Sequence, residues 1–399
     1  MAGPPPPIEI DAAAGPFPLG MPPERFLREY WQKRPLLIRN AFPGYVAPLE
    51  PEDLAGLACE EGVLARLIQH DRARDDWSVR HGPFAEDDFP GLPDHDWTLL
   101  VQDMDKWDAD LRALLDHFAF LPRWRIDDVM VSFAATGGSV GAHVDQYDVF
   151  LLQARGHRRW LIDAGPNPPL DFRPDVELKL LQRFTPTHDW VLAPGDMLYL
   201  PPGVPHHGIA EDPCLTFSIG MRAPGAGELL ADYADSLAAE APDALRYADP
   251  DITPVADPNE IDAAALERVE AALRQLWRED PDRLGDWFGR FITTYRSAVL
   301  PAAAEAAPPA EALEAALAAG GCLRRHPWSR MAWRRGADGR IRLYASGEQH
   351  LLPGEDARRL AAAEQIDAEA YAGLSEPGRA ALLALVGAGH YQLEQEDAE

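Results

Sequence analysis

The sequence predicts an α+β protein built around an antiparallel jelly roll, followed by a helical unit and a small domain of helices and a hairpin. Three observations carry this prediction. Between Ile126 and Ile219, short runs rich in β-branched and aromatic residues are punctuated by Gly and Pro, as in a barrel closed on itself. After Pro224 the composition turns to Ala and Glu, with apolar residues at helical spacing. Beyond Pro309 come a helical stretch, two strand-like pieces around Gly336-Ala337-Asp338-Gly339, and a last helix.

In chain order, Pro22-Pro23-Glu24-Arg25 reads as a helix start, with Phe26, Tyr30 and Trp31 at helical spacing behind it. Leu36-Leu37-Ile38 is a short apolar strand, Pro51 to Ala58 a second helix, and Trp77 to Arg80 a strand running into the His81-Gly82-Pro83 turn. Helices of this kind buttress a β-core, and their aromatics are expected inside it. The periodicity from Leu99 to Leu121 predicts one more helix. His70, His81, His95 and His117 stand at no ligand spacing and read as structural.

Asp127 to Phe133 is a strand leading to the glycine turn Thr136-Gly137-Gly138, and period-2 alternation puts Asp128, Met130 and Ser132 on one face. Val149 to Gln153, the turn Ala154-Arg155-Gly156-His157, and Arg158 to Ile162 read as a hairpin in which Arg158, Trp160 and Ile162 share a face. Pro194-Gly195-Asp196 turns the chain into the strand Met197 to Leu200. Leu215 to Ile219, carrying Ser218, is the last strand of this part.

The candidate chemistry lies in Gly141-Ala142-His143-Val144-Asp145-Gln146-Tyr147-Asp148, answered further on by Pro202-Gly203-Val204-Pro205-His206. On a strand, His143 and Asp145 project from the same side and grip one ion. His206 follows the apolar run Met197 to Leu200 and a Pro/Gly turn, as a third ligand at the end of a second strand would. His-x-Asp alone is a common pattern without chemistry, and the distant Pro-x-x-x-His supplies the weight. Two imidazoles and one carboxylate make the facial triad, whose open positions suit non-haem Fe(II) that also binds a co-substrate and dioxygen. An inward-facing Arg158 needs an anionic partner. A 2-oxo dicarboxylate that chelates iron by one end offers its far carboxylate to such a guanidinium fork. An outward Arg158 would be an exposed strand residue, and spacing leaves both readings open.

The stretches His143-Val-Asp145-Gln-Tyr-Asp-Val-Phe150, Arg155-Gly-His-Arg-Arg-Trp160, Pro194 to His206, and Ser218-Ile-Gly-Met-Arg-Ala-Pro224 together resemble the JmjC-type ribosomal oxygenases of the cupin superfamily. Similar stretches reach from Tyr30-Trp31-Gln-Lys-Arg-Pro to Trp287-Phe-Gly-Arg-Phe291, covering most of the chain. The resemblance implies a double-stranded β-helix, the cupin/JmjC jelly roll. It places Fe(II) on His143, Asp145 and His206, and the 2-oxoglutarate co-substrate on Arg158, with O2 as the second co-substrate. It further implies hydroxylation of an arginine side chain of a 50S ribosomal protein. This chain departs from the similar proteins at His207, where they have an acidic residue, and at His157, where they have arginine; either bears on access to the site. If the strand face of Asp128 looks inwards, Asp128 pairs with a substrate guanidinium, or else caps a turn. Ser132 would donate a hydrogen bond to substrate, and Ser218 is a further pocket candidate. Alternatives are a hydroxylase or demethylase of another protein residue, a metal cupin that is not an oxygenase, and a non-catalytic dimeric scaffold.

Leu266, Val269, Leu273 and Leu276 form an apolar stripe on one helix of the Ala/Glu-rich unit. The stripe must be covered, by this chain's own barrel or by a symmetric partner, and the resemblance implies a homodimer. The last part resembles a winged-helix module. Arg324, Arg325, Arg330, Arg334 and Arg335 cluster there, but no recognition-helix pattern supports contact with nucleic acid. The expected boundaries are 1–95 for an N-terminal buttress, 96–223 for the JmjC core, 224–300 for the helical dimerisation unit, 301–309 for a linker and 310–399 for the winged-helix-like domain.

At 399 residues the chain is long enough for two or three cores, and 46% hydrophobic content with 11 Trp argues for folded domains. The formal charge of −28 excludes non-specific affinity for nucleic acid and favours a basic partner such as a ribosomal protein, or serves solubility. Three scattered cysteines make neither a disulfide framework nor a zinc cluster, consistent with a reducing cytoplasm. No apolar run approaches membrane-spanning length, so no membrane partner is expected.

Overall fold

The computed structural model describes residues 7–394 except 14, 255–256, 278–279, 295–300 and 304–307. The described chain divides into two compact units, Met1–Ala223 and Pro224–Glu399.

The first unit begins with β1 (Glu9–Asp11), α1 (Pro23–Glu29), β2 (Leu36–Arg39) and α2 (Pro51–Leu57). Proline occupies the first turn of both helices, where its missing N–H costs nothing. Phe26 and Tyr30 are fully buried, with Phe26 edge-on to Tyr199 at 5.0 Å and Trp31 stacked on Tyr199 at 5.8 Å. The aromatics of this segment thus bury the outer face of the barrel, each contributing a large apolar area.

β3 (Ala65–Asp71), β4 (Asp76–His81) and β5 (Trp97–Val101) come next. The helix predicted over Leu99–Leu121 is not one helix. Leu99, Leu100 and Val101 belong to β5, which pairs with β3 on one side and the following long strand on the other. A short apolar run is ambiguous by period, and cross-strand partners decide it. The remainder breaks into α3 (Met104–Trp107), α4 (Ala109–Leu114) and a 3-10 turn over Leu115–Phe118. Asp103 adopts a left-handed φ of 59°, and the Asp108 carboxylate caps α4 by accepting from Leu111 N–H.

β6 (Ile126–Ala134), β7 (Val149–Arg155), β8 (Arg158–Ile162), β9 (His188–Leu192), β10 (Met197–Leu200), β11 (His206–Ala210) and β12 (Cys214–Met221) complete the barrel. The major sheet runs β1-β2-β10-β7-β12-β6-β5-β3-β4, and a minor sheet runs β11-β8-β9. The hairpin predicted for Val149–Ile162 is corrected here. β7 pairs with β10 and β12, whereas β8 pairs with β11 and β9, so the turn between them carries the chain from one sheet to the other. Gly156, at a φ of 63°, makes that bend, and a Cβ there would fall 2.4 Å from the Pro213 carbonyl oxygen. The alternation of β8 holds: Arg158, Trp160 and Ile162 are buried between the sheets, and Arg159 is exposed and pairs with Asp189.

The second unit contains α5 (Ala226–Ala239), α6 (Ala263–Leu276), α7 (Pro281–Thr293) and α8 (Ala310–Ala318). Then follow β13 (Cys322–Arg325), β14 (Met331–Arg335), β15 (Ile341–Ala345), β16 (Glu348–Leu352), α9 (Gly354–Ala362), β17 (Gln365–Ile366), α10 (Ala368–Ala372), α11 (Glu376–Gly387) and β18 (Tyr391–Glu394). Its core joins Leu313, Leu317, Leu343, Leu360, Leu382 and Tyr391. The linker expected over 301–309 lies partly outside the described residues. Much of the arginine cluster is spent inside the unit: Arg334 pairs with Asp282 and Asp286, Arg324 with Glu394, and buried Arg325 donates to the Leu360 carbonyl.

Candidate active site

The three candidate ligands come together in the lining of one cavity. His143, Asp145 and His206 each offer an atom within 4.8 Å of the others. Asp145 Oδ2 lies 3.7 Å from His206 Nε2 and 4.0 Å from His143 Nε2. The local structure differs from the expectation. His206 opens β11 instead of closing β10, and residues 141–147 are irregular except for one bridge. In that bridge His143 N–H donates to the His206 carbonyl at 3.0 Å and His206 N–H returns the bond at 2.9 Å, which sets the two rings 4.2 Å apart. Gly141, with a φ of 79°, turns the segment out of strand geometry, so the ligands converge through a mutual backbone pair and not through strand parity.

The donor set fits a divalent metal. His143 Nδ1 donates to the Gly141 carbonyl at 3.0 Å and His206 Nδ1 to the Val204 carbonyl at 2.9 Å. This leaves both Nε2 lone pairs aimed at the centre, the tautomer a metal ligand requires. Burial, with the neighbouring His143, holds His206 well below the ordinary imidazole range, so it stays neutral. Burial raises the Asp145 carboxyl, against the opposing pull of His143 and a hydrogen bond from Tyr147. The departure residue His207 is also held low, at about 4, chiefly by burial.

The ligands open into a cavity of about 200 Å³ lined by the inward faces of β6, β7, β8 and β12. Arg158 lies at one end, 3% exposed. Its Nη1 donates to Ser132 Oγ at 3.1 Å and Thr216 Oγ1 at 3.4 Å, and its guanidinium lies 5.2 Å from the Trp160 ring. Among the described residues no carboxylate pairs with it, and burial lowers its pKa. A buried cation without a counterion is costly, and this is the end at which an anion fits. Gly208 permits the arrangement: a Cβ there would meet the Trp160 ring at 2.8 Å and Arg158 Nε at 2.9 Å.

At the other side Asp128, half-buried, accepts the Asp103 N–H at 3.1 Å, and burial together with Asp103, Asp127 and Asp105 pushes its carboxyl up to about 7. Tyr147, Met130 and Ser218 line the same cavity. Asp128, Met130 and Ser132 share the inward face expected for them, but the Ser132 hydroxyl is engaged by Arg158 and not by the Asp128 side. Thr216 and Gln153 belong to the same wall and stand in no motif of the sequence. Thr216 has the parity of Ser218, and the same alternation identifies it.

Residues 113–229 match the family described as JmjC domain, and residues 272–392 the ROXA-like winged helix; a third match, to an AraC-like ligand binding domain, spans 185–283. A "Probable ribosomal oxygenase" of Haemophilus influenzae is 45% identical over 54% of this chain, and the match spans about half, 53%, of that relative. The Escherichia coli "Ribosomal protein uL16 3-hydroxylase" is 36% identical over 68% of this chain and 71% of its own length. The solved structure of YcfD, a ribosomal oxygenase from Escherichia coli, in complex with cobalt and 2-oxoglutarate superposes with a TM-score of 0.79 at 34% identity, over 93% of this chain and 98% of that one. With a relative at this identity spanning more than two thirds of both sequences, the chain belongs to the JmjC-domain ribosomal oxygenases.

Proposed function

We propose that this protein is an Fe(II)- and 2-oxoglutarate-dependent dioxygenase that hydroxylates an arginine side chain of a large-subunit ribosomal protein. One observation carries the reading: a His-Asp-His facial set stands in one cavity with a buried arginine that has no counterion among the described residues and, on the other side, a carboxyl crowded by acidic neighbours, whose ionisation a bound cation favours. The names of the relatives supply the ribosomal substrate, and the neighbour's complex supplies the co-substrate.

In this reading His143, Asp145 and His206 hold the metal, and Arg158, resting on Ser132 and Thr216, takes the far carboxylate of 2-oxoglutarate. When bound, Fe(II), 2-oxoglutarate and dioxygen supply the oxidising chemistry, giving succinate, carbon dioxide and a hydroxylated C–H position. The chain's own part is positional. Apolar Leu151, Val149 and Trp160 wall the cavity and exclude water. Asp128 receives the guanidinium of the substrate, with Ser218 and Tyr147 beside it. An acidic protein also attracts a basic ribosomal target at long range.

The protein is further read as a cytoplasmic homodimer. In the single chain the α6 stripe is uncovered, Leu266 being 59% and Leu273 61% exposed. An apolar groove of about 740 Å³ bounded by Leu230, Tyr233, Trp277 and Leu284 adjoins it. A second copy covers both. No described helix is long and apolar enough to cross a membrane.

The function is tested by measuring succinate release from the Fe(II)-loaded chain with and without peptides from large-subunit proteins. Arginine-containing peptides are expected to stimulate release, and lysine replacements to lose the stimulation. Equal release with every peptide contradicts the assignment of substrate.

A further inference from the structure

The row of polar side chains behind Arg158 is set by register. Ser132 on β6, Thr216 on β12 and Gln153 on β7 are direct cross-strand partners, so their side chains stand in line on the inward face of the major sheet. All are buried, at 4%, 1% and 0% exposure. Three polar side chains abreast in a barrel interior are costly unless every hydrogen bond is made, and here they are made in one direction.

Gln153 fixes that direction. Its Nε2 donates to the carbonyls of Arg155, Gly156 and Leu215 at 2.9, 3.3 and 3.3 Å, so the amide oxygen must face Thr216. Thr216 Oγ1 donates to that oxygen at 3.1 Å. Ser132 Oγ donates to the Thr216 carbonyl at 3.4 Å. Both hydroxyl protons are therefore committed, and both oxygens are left as acceptors for the same guanidinium nitrogen of Arg158. The rest of the guanidinium is free to face an anion in the cavity.

We infer that Gln153 is a positioning residue for the dicarboxylate co-substrate: by orienting the Thr216 hydroxyl it holds the Arg158 guanidinium in the pose that receives the far carboxylate. The inference rests on the proposed co-substrate and adds Gln153, which stands behind Thr216 and is not among the residues lining the cavity.

The test is equilibrium binding of 2-oxoglutarate to the full chain loaded with Mn(II), by calorimetry, with Mn(II) affinity and the thermal midpoint recorded for each variant. Thr216→Val, of equal shape without the hydroxyl, is expected to weaken 2-oxoglutarate about tenfold, and Thr216→Ser to restore it to within about twofold, in line with hydrogen bonds to a charged group. Gln153→Met is expected to weaken it comparably, and the double variant to be no weaker than the weaker single, because both act through one hydroxyl. Mn(II) affinity stays as in the parent, which a general loosening of the barrel would not leave intact. Full additivity of the two substitutions, or unchanged 2-oxoglutarate affinity in Thr216→Val, overturns the inference while leaving the co-substrate in place. Should Gln153→Met fail to fold, Gln153→Asn, whose shorter amide withdraws the acceptor from the Thr216 hydroxyl, takes its place in the cycle with the same expectation. Absence of 2-oxoglutarate binding in the parent overturns both the inference and the reading beneath it.

Discussion

Replacing Asp128 by Asn should make the protein more stable and less able to bind its substrate, and the gain in stability should depend on pH. The carboxyl is raised from 3.8 to about 7, mainly by burial, and Asn keeps an acceptor for the Asp103 N–H without the charge. A carboxyl whose folded pKa exceeds its unfolded one favours the fold fully only below the unfolded value. That contribution is lost as pH rises through the folded pKa. A shift of about three units corresponds to about 4 kcal/mol at about pH 8, falling below about 2 kcal/mol at about pH 5. These are upper limits, since Asp128 is half-buried and solvent screens part of the interaction. The assay is urea denaturation of parent and variant at both pH values. The second unit is identical in both proteins and drops out of the difference. The variant's advantage should grow by up to about 3 kcal/mol between about pH 5 and about pH 8. An advantage that does not change with pH refutes the claim that this carboxyl is held protonated by its surroundings. In the same variant the KM for a cationic peptide should rise, and in the parent it should fall as pH rises through about 7, as the carboxylate forms.

Three further outcomes are expected. Gly208→Ala forces its methyl against Trp160 and Arg158, so it should cost about 1–3 kcal/mol in unfolding free energy and raise the KM for 2-oxoglutarate, measured by denaturation and succinate release. Asp148→Ala removes the buried carboxylate that accepts from Tyr199, Gln32 and Arg125 at 2.6, 2.9 and 3.2 Å. It should cost about 3–5 kcal/mol by stranding Arg125, as read from the denaturation midpoint. Leu273→Glu on the exposed α6 stripe should bring the mass from light scattering down from twice to once 44.0 kDa without changing far-UV ellipticity.

The elements legible in the sequence are those whose signal is local. Proline starts α1 and α2, the glycine turns bound β6 and β10, and period-2 alternation places Arg158 and Trp160 on the inward face of β8. The Leu99–Leu121 segment was not legible, because Leu99-Leu100-Val101 satisfies either period until β3 and β6 are seen beside it. The hairpin around Gly156 failed for a related reason: a turn signal says that the chain reverses, not which sheet receives it. His143 and Asp145 come together through a geometry other than the strand parity expected of them, since the segment bends at Gly141 and the bridge to His206 does the aligning. The row Ser132, Thr216, Gln153 depends on strand register across three strands, which no local pattern encodes.

The central question is whether the cavity joining His143, Asp145, His206, Arg158 and Asp128 hydroxylates arginine. The direct measurement is tandem mass spectrometry of large-subunit ribosomal peptides incubated with the chain, Fe(II), 2-oxoglutarate and air, with His143→Ala alongside. The expected result is the gain of one oxygen on an arginine side chain in the parent and none in the variant. An oxygen placed on another residue, or one that appears equally with His143→Ala, contradicts it.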